Sequence, residues 1–405
     1  MERENQPPTA SSQTQSPVRG TEPGTSNAPS IVGRRSFLKG LGVVGATLLP
    51  ARLLLMADAK AQEKTSSGKL TQGDADLLRF AAWAEIVESD LWVQYNELGG
   101  ATTPTGGNPA YTAALQNLDG DMPQYITDNT DDELSHAAFL NAYLESKGAE
   151  QVDLEPFRNL LSSQATGANK NKKRLTNLLK LDVDLSWYTR YRSEENPDLG
   201  ANFKGPFNIL NEPAIPLNDT ETPPNSSLTL PLTDPKAIRM QAIANTAGFH
   251  FAFIEQGGTS LYATLALKAT SEEVLRILLS IGGVEIDHFS LWHDKAGNAV
   301  TQPLAGLEDP ISGLTFPNLN AVTPAAALEL TQTNKILPEP CDFLRGEGLP
   351  ACSVIRPTST QKGGAVATVK SFTDDLLFLG QSPAFFAFSM QLARAADNAR
   401  RELER

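Results

Sequence analysis

Ile281-Gly-Gly-Val-Glu-Ile-Asp-His288 carries a Glu-x-x-His, Glu285 with His288, and Asp132-Glu-Leu-Ser-His136 carries another, Glu133 with His136. Each is preceded by a glutamate with a tyrosine seven residues later: Glu88 with Tyr95 before the first, Glu255 with Tyr262 before the second. The chain has four histidines, and two of them fall in these matched motifs in the same order. On an α-helix, residues three or seven apart lie on nearly the same face, so each motif aims its two side chains in one direction. Four such helices with those faces inward would offer four carboxylates and two imidazoles to a pair of metal ions, a ligand set used for two Fe or Mn. One Glu-x-x-His is ordinary on a solvated helix face; the ordered duplication carries the reading.

The helices themselves can be placed from period and caps. Leu77, Leu78, Phe80, Ala81, Ala84, Val87, Leu91 and Tyr95 recur at close to helical spacing, giving a helix over 71–98 stopped by Gly99-Gly100. A polar connection with a short helix over 111–118 follows. Thr130-Asp131-Asp132-Glu133 has the pattern of a capping box, which predicts a second long helix from there to Lys147. Residues 153–192 look helical but broken, and 194–235, rich in Pro and Asn, look like an irregular crossover. A third helix is expected over 235–267 behind Asp234, and a fourth from Thr270 to His293. Gly257-Gly258 and Gly282-Gly283 interrupt these last two helices within three residues of a motif glutamate, where each costs about 1 kcal/mol relative to Ala. Close packing or a local bulge beside the site would explain that cost.

The expected fold is all-α: two helix pairs, about 71–148 and 235–294, separated by an insertion over 150–234 and followed by an irregular extension over 301–405 with a terminal helix. Two hairpins joined by one long connection are the topology of ferritin-like bundles. In Ala84-Glu-Ile-Val-Glu88, Asp132-Glu-Leu-Ser-His136, Ile254-Glu255 through Tyr262, and Ile281 through His288, the chain resembles the ferritin-like family. It looks like a bacterial member exported through the twin-arginine route, of the family that also includes plant desiccation-related proteins. The likeness covers roughly 70–148 and 236–296, within a bundle expected over 67–300; the insertion and the extension depart from it.

That resemblance implies roles. Glu88 and Glu255 would be terminal ligands, Glu133 and Glu285 would bridge two metals, and His136 and His288 would complete one metal each. Tyr95 and Tyr262 would donate hydrogen bonds to the ligand carboxylates. Glu85, one turn before Glu88, is the rival first ligand; Glu88 is preferred because it alone repeats the seven-residue spacing to tyrosine. His250 and His293 fall outside the repeat and are expected to be structural or solvent-facing.

The amino terminus predicts a destination. Residues 5–32 are polar and rich in Pro, Ser, Thr, Gly and Gln. Arg34-Arg35 then precede an apolar run to about Ala57 and a small-x-small Ala59-Lys-Ala61, the order of a twin-arginine export signal over 1–61. The alternative, a membrane anchor, is opposed by Pro50 and Arg52 within the run. A periplasmic or secreted protein that meets the twin-arginine translocase is expected. Cys341 and Cys352, the only cysteines, would then form one disulfide; a metal site is the alternative, but no histidine lies within forty residues.

The formal charge is −13, and the first 61 residues hold seven basic and four acidic side chains, so the remainder is more acidic still. Such a surface argues against nucleic acid or an anionic membrane as partner, and no other stretch is apolar enough for a stable span. Three function classes remain: an oxidoreductase acting on dioxygen or a peroxide in stress protection, an iron-sequestering protein without turnover, and a metal-free structural bundle. No nucleotide fingerprint, haem-attachment motif or phosphate loop is evident in the sequence.

Overall fold

The computed structural model describes residues 69–185, 208–318 and 363–402. Arg34, Arg35, the signal segment, Cys341 and Cys352 all lie outside the described residues. Within them the chain is mostly helical, with one two-stranded antiparallel sheet.

Four long helices build the bundle: α1 (Gln72–Gly99), α3 (Met122–Ser146), α4 (Pro235–Ala266) and α5 (Glu272–Trp292), with a short α2 (Pro109–Gln116) between the first two. Of the caps, Asp234 is the one the sequence announces. The Thr71 side chain accepts from the Asp74 N–H, Asp234 from Lys236 and Ala237, and Ser271 from Glu273 and Val274, satisfying donors that helix starts leave free. One start differs from expectation. α3 opens eight residues earlier than its capping-box pattern, at Met122, with Pro123 in the first turn. Thr130 sits in the helix interior, where its hydroxyl donates to Ile126 O at 2.7 Å instead of capping anything.

α1 packs on α3, and α4 on α5. The two pairs meet through buried side chains, Trp92 against Phe251 and Tyr95 against His250 among them. α4 is buried almost all round, the pattern of a helix enclosed by neighbours. Its glycines are no bulge, since the helix runs unbroken. A Cβ on Gly258 would stand 2.2 Å from the Glu285 carboxylate oxygen, and one on Gly282 would stand 2.7 Å from Tyr262 Cβ. At both, glycine leaves room that another side chain occupies.

Over 153–185, the described part of the stretch expected as broken helix, the insertion forms no α-helix. It runs as irregular chain with one 3₁₀ turn (Glu155–Phe157) into β1 (Leu181–Asp184), which pairs antiparallel with β2 (Asn208–Glu212). Acidic side chains of α1 pin it down. Asp90 accepts from the Leu175 and Thr176 N–H groups at 2.9 Å each, and Glu97 pairs at 2.5 Å with fully buried Arg174. Arg239 of α4 holds Glu212 at 2.9 Å and Asp309 at 2.5 Å. Breaking one partner of such a buried pair costs about 3–5 kcal/mol.

In the carboxy-terminal part, described residues 363–402 hold two helices where one terminal helix was expected. α6 (Ala365–Asp374) and α7 (Pro383–Asn398) form a helix pair, and α7 packs along α1. Trp83 donates its indole N–H to Ser389 Oγ at 3.0 Å and lies against Phe378 and Phe385. Asp397 accepts from the Ala365 and Val366 N–H groups, tying the end of α7 to the start of α6. No helix among the described residues is long and apolar enough to cross a membrane.

Candidate metal centre

Six ligand-type side chains converge at the centre of the bundle, in two overlapping groups. Glu85, Glu133, His136 and Glu285 form one, and Glu133, Glu255, Glu285 and His288 form the other; within each, one ligand atom per residue lies within 4.8 Å of all the rest. Glu133 and Glu285 belong to both, so they lie between the two candidate positions. One helix contributes to each corner: Glu85 from α1, Glu133 and His136 from α3, Glu255 from α4, Glu285 and His288 from α5. The i,i+3 spacing does what helical geometry dictates and brings each Glu-x-x-His to one face.

The two imidazoles face inward through Nδ1. His136 Nδ1 lies 3.3 Å from Glu85 Oε2, 3.3 Å from Glu133 Oε2 and 3.7 Å from Glu285 Oε1. His288 Nδ1 lies 3.0 Å from Glu133 Oε1 and 3.2 Å from Glu255 Oε2. The far nitrogen of His288 is 3.3 Å from Asp132 Oδ2. A carboxylate there fixes the imidazole tautomer and orientation with Nδ1 turned to the centre.

The expected first-helix ligand Glu88 stays outside both groups, and Glu85 stands where it was placed. The reason is in the pairing of the halves. Glu85 faces His136 as Glu255 faces His288, so Glu85 is the counterpart of Glu255, Trp92 of Tyr262, and Glu88 of Gly258. The tyrosines divide accordingly. Tyr262 donates its hydroxyl to Glu85 Oε1 across the bundle. Tyr95 does not reach a carboxylate; its hydroxyl lies 2.7 Å from Nδ1 of His250. His250 is thereby buried rather than solvent-facing, and His293 is also buried, with its ring near Phe289. Glu88 is buried beside the six, against Glu133 and Glu85.

Two contributors lie outside the sequence expectation. Asn129, one turn before Glu133, donates to Glu133 Oε1 at 2.9 Å and Glu255 Oε1 at 3.1 Å, and its own oxygen accepts from the Trp292 indole at 2.7 Å. Asp132 is the other. The i−4 offset of Asn129 from Glu133 was the available signal; Asp132 is next to the motif and needed the position of α5 to be recognised.

The electrostatics are those of a crowded buried acid cluster. Burial pushes Glu85 up to about 8 despite the attraction of His136. Burial and neighbouring carboxylates, Glu133 foremost, push Glu88 and Glu285 well up, and burial also raises Glu255. Burial opposes charge on Glu133 too, but hydrogen bonds from both imidazoles hold it well below the usual carboxylate range. Burial would lower His136, yet Glu85 and Glu133 raise it to about 11; Glu255 and Asp132 likewise raise His288. In the metal-free protein, protons therefore provide the positive charge that the cluster requires.

The residues fit cations better than protons. Both carboxylate oxygens of Glu285 are buried and make no hydrogen bond among the described residues, and Glu85 Oε2 has the His136 imidazole 3.3 Å away; buried oxygens without a hydrogen bond are costly for an acid unless a cation takes up the lone pairs. Carboxylate and imidazole together suit iron, manganese or zinc.

Residues 73–298 match the family model described as the ferritin-like domain. That is more than half of the chain, which belongs to this family of di-metal carboxylate folds. No curated protein and no solved structure matches it.

Proposed function

We propose that this chain is a di-metal carboxylate protein that holds two iron or manganese ions and acts as an oxidoreductase on dioxygen or a peroxide, in stress protection. The observation that carries the reading is the pair of overlapping buried Glu/His groups that share Glu133 and Glu285. Glu85 and His136 would hold one ion, Glu255 and His288 the other, and the shared carboxylates both. Bound there, such ions supply Lewis acidity and a two-electron redox change split between two centres.

The protein's own residues shape the site. Asp132 and Asn129 orient His288, Glu133 and Glu255 from outside the ligand set. Tyr262 fixes Glu85 and carries a proton at the edge of the cluster; burial, with Glu85 next, holds its phenol well above the ordinary value, so it remains a donor. Tight aromatic packing around Trp92, Phe251 and Trp292 keeps water from that side.

Export by the twin-arginine route, inferred from Arg34-Arg35 and Ala59-Lys-Ala61, belongs to the same proposal: that route carries folded proteins and suits one that loads metal before leaving the cell. The test is addition of hydrogen peroxide to natively purified protein of measured metal content. Sustained oxygen release supports turnover on peroxide. Its absence, with slow single-turnover oxidation of added Fe(II), would assign the metals to sequestration instead.

A further inference from the structure

An unbroken line of aromatic rings leads from the candidate centre to the buried Tyr95–His250 pair. It starts at Glu133 and Glu255, which both accept from Asn129, whose oxygen accepts from the Trp292 indole at 2.7 Å. Trp292 stacks on Trp92, ring centroids 5.2 Å apart with planes 18° from parallel. Trp92 lies 5.6 Å from Tyr95, and Phe251 touches all three rings at 4.6–4.9 Å. Trp92, Tyr95, Phe251 and Trp292 are fully buried. The Tyr95 hydroxyl has one partner, Nδ1 of His250, at 2.7 Å, and His250 Nε2 has no hydrogen-bond partner among the described residues.

Packing alone accounts for stacked rings, but it does not require a buried phenol aimed at a buried imidazole nitrogen. In a dry core, a phenol that loses an electron becomes a strong acid and must shed its proton along a hydrogen bond already in place. His250 Nδ1 is such an acceptor. Burial keeps the resting pair neutral, pushing Tyr95 well up and His250 down to about 3, so proton and electron must leave together. Indole rings at van der Waals contact are the side chains best suited to pass the electron, being oxidised more easily than phenylalanine.

We propose that Tyr95 is a redox-active residue that donates one electron to the oxidised metal centre through Trp92 and Trp292 while its phenolic proton passes to Nδ1 of His250. Tyr95 is oxidised to the neutral phenoxyl radical, the centre is reduced by one electron, and His250 becomes imidazolium until the phenoxyl is reduced again. The oxidant that first oxidises the centre is a peroxide or dioxygen. The inference rests on the di-metal reading above. It gives the protein an internal electron source when an external reductant is lacking.

Tyr262, hydrogen-bonded to Glu85 itself, is the rival donor, and the experiment must separate the two. Full-length protein loaded with iron or manganese, its metal content measured, is mixed with hydrogen peroxide, frozen at intervals and examined by electron paramagnetic resonance. A tyrosyl radical is expected, absent in Tyr95→Phe and retained in Tyr262→Phe. In Trp92→Phe its formation should slow by about tenfold or more, a barrier increase of about 1.4 kcal/mol per decade. His250→Gln, which removes the proton acceptor but keeps a polar side chain, should lower its yield. A radical that survives in Tyr95→Phe and disappears in Tyr262→Phe overturns the proposal. So does metal-loaded protein that forms no tyrosyl radical, while leaving the di-metal reading intact. Failure to bind metal sinks the di-metal reading and, with it, the electron's destination. Laser-flash photoionisation of tryptophan in the metal-free chain tests the relay separately. The tryptophan radical should decay into a tyrosyl radical, and an unchanged decay in Tyr95→Phe overturns the relay.

Discussion

Replacing Gly258 by alanine adds one methyl group at the most crowded point of the bundle, and two opposing effects can be weighed there. Alanine in a helix interior is favoured over glycine by about 1 kcal/mol. Against that, the new Cβ would lie 2.2 Å from Glu285 Oε2, 3.0 Å from its Cδ and 3.4 Å from its Cγ, and overpacking a core commonly costs about 1–3 kcal/mol. The atoms in the way belong to the end of a side chain, so the cheapest relief is for the Glu285 carboxylate to swing aside. Metal-free Gly258→Ala should thus change in stability by no more than about 1–2 kcal/mol, the difference of those two effects. Its metal affinity should fall much more, by about tenfold or beyond, each decade being about 1.4 kcal/mol. Gly283→Ala is the control: no atom lies within 4 Å of its Cβ position, so it should gain about 1 kcal/mol from helix propensity and bind metal as before. Chemical denaturation of the metal-free proteins and competition titration against a chelator measure both quantities. Equal metal affinity in Gly258→Ala and the parent would refute the placement of Glu285 between the two candidate positions.

Metal binding should release protons and strengthen as pH rises, because Glu85, raised to about 8, and His136, raised to about 11, both carry protons that a cation must displace. Titration calorimetry in buffers of different ionisation enthalpy checks this, and proton uptake on binding would contradict it. Asp375 is buried and, through that burial with Asp184 next, held well above its ordinary value. A raised folded value gives stability that is present below the unfolded value and lost as pH rises through the folded one, so Asp375→Asn should raise the melting temperature at neutral pH and not near pH 4; destabilisation at neutral pH would show instead an ionised, paired aspartate. Changing Arg34 and Arg35 to lysine should trap precursor inside the cell, where normal export leaves a mature amino terminus at Gln62, and peptide mapping of exported protein should show one Cys341–Cys352 bridge. An intact amino terminus on cytoplasmic protein, or two free thiols in exported protein, would speak against these.

The ligand motifs of α3 and α5 were legible because a single helical turn fixes which residues share a face, and nothing distant can change that. The choice in α1 was not. Glu85 and Glu88 are both buried and one turn apart, and only the rotation of α1 against α3 decides which meets His136. The tyrosine spacing that favoured Glu88 is a coincidence of two different tasks, since Tyr262 serves Glu85 while Tyr95 serves His250. The capping-box pattern at Thr130 misled for a related reason: a hydroxyl that can cap a helix start can also bond back to the preceding turn. The insertion was the least readable segment. Its fixed points, Arg174 on Glu97 and Asp90 on Leu175 and Thr176, join residues 77 to 86 positions apart, and no local pattern announces such pairs. Leu181-Asp-Val-Asp184 did show the alternation of a strand, with its apolar residues buried, but within a stretch read as broken helix.

Metal analysis of natively purified protein tests the central claim most directly. The account predicts about two iron or manganese ions per chain, lost when Glu133 or Glu285 is changed to alanine and retained in Gly283→Ala. A metal content near zero in the parent, with Glu133→Ala and Glu285→Ala no different from it, would contradict the account and leave a metal-free bundle whose buried acids are neutralised by protons alone.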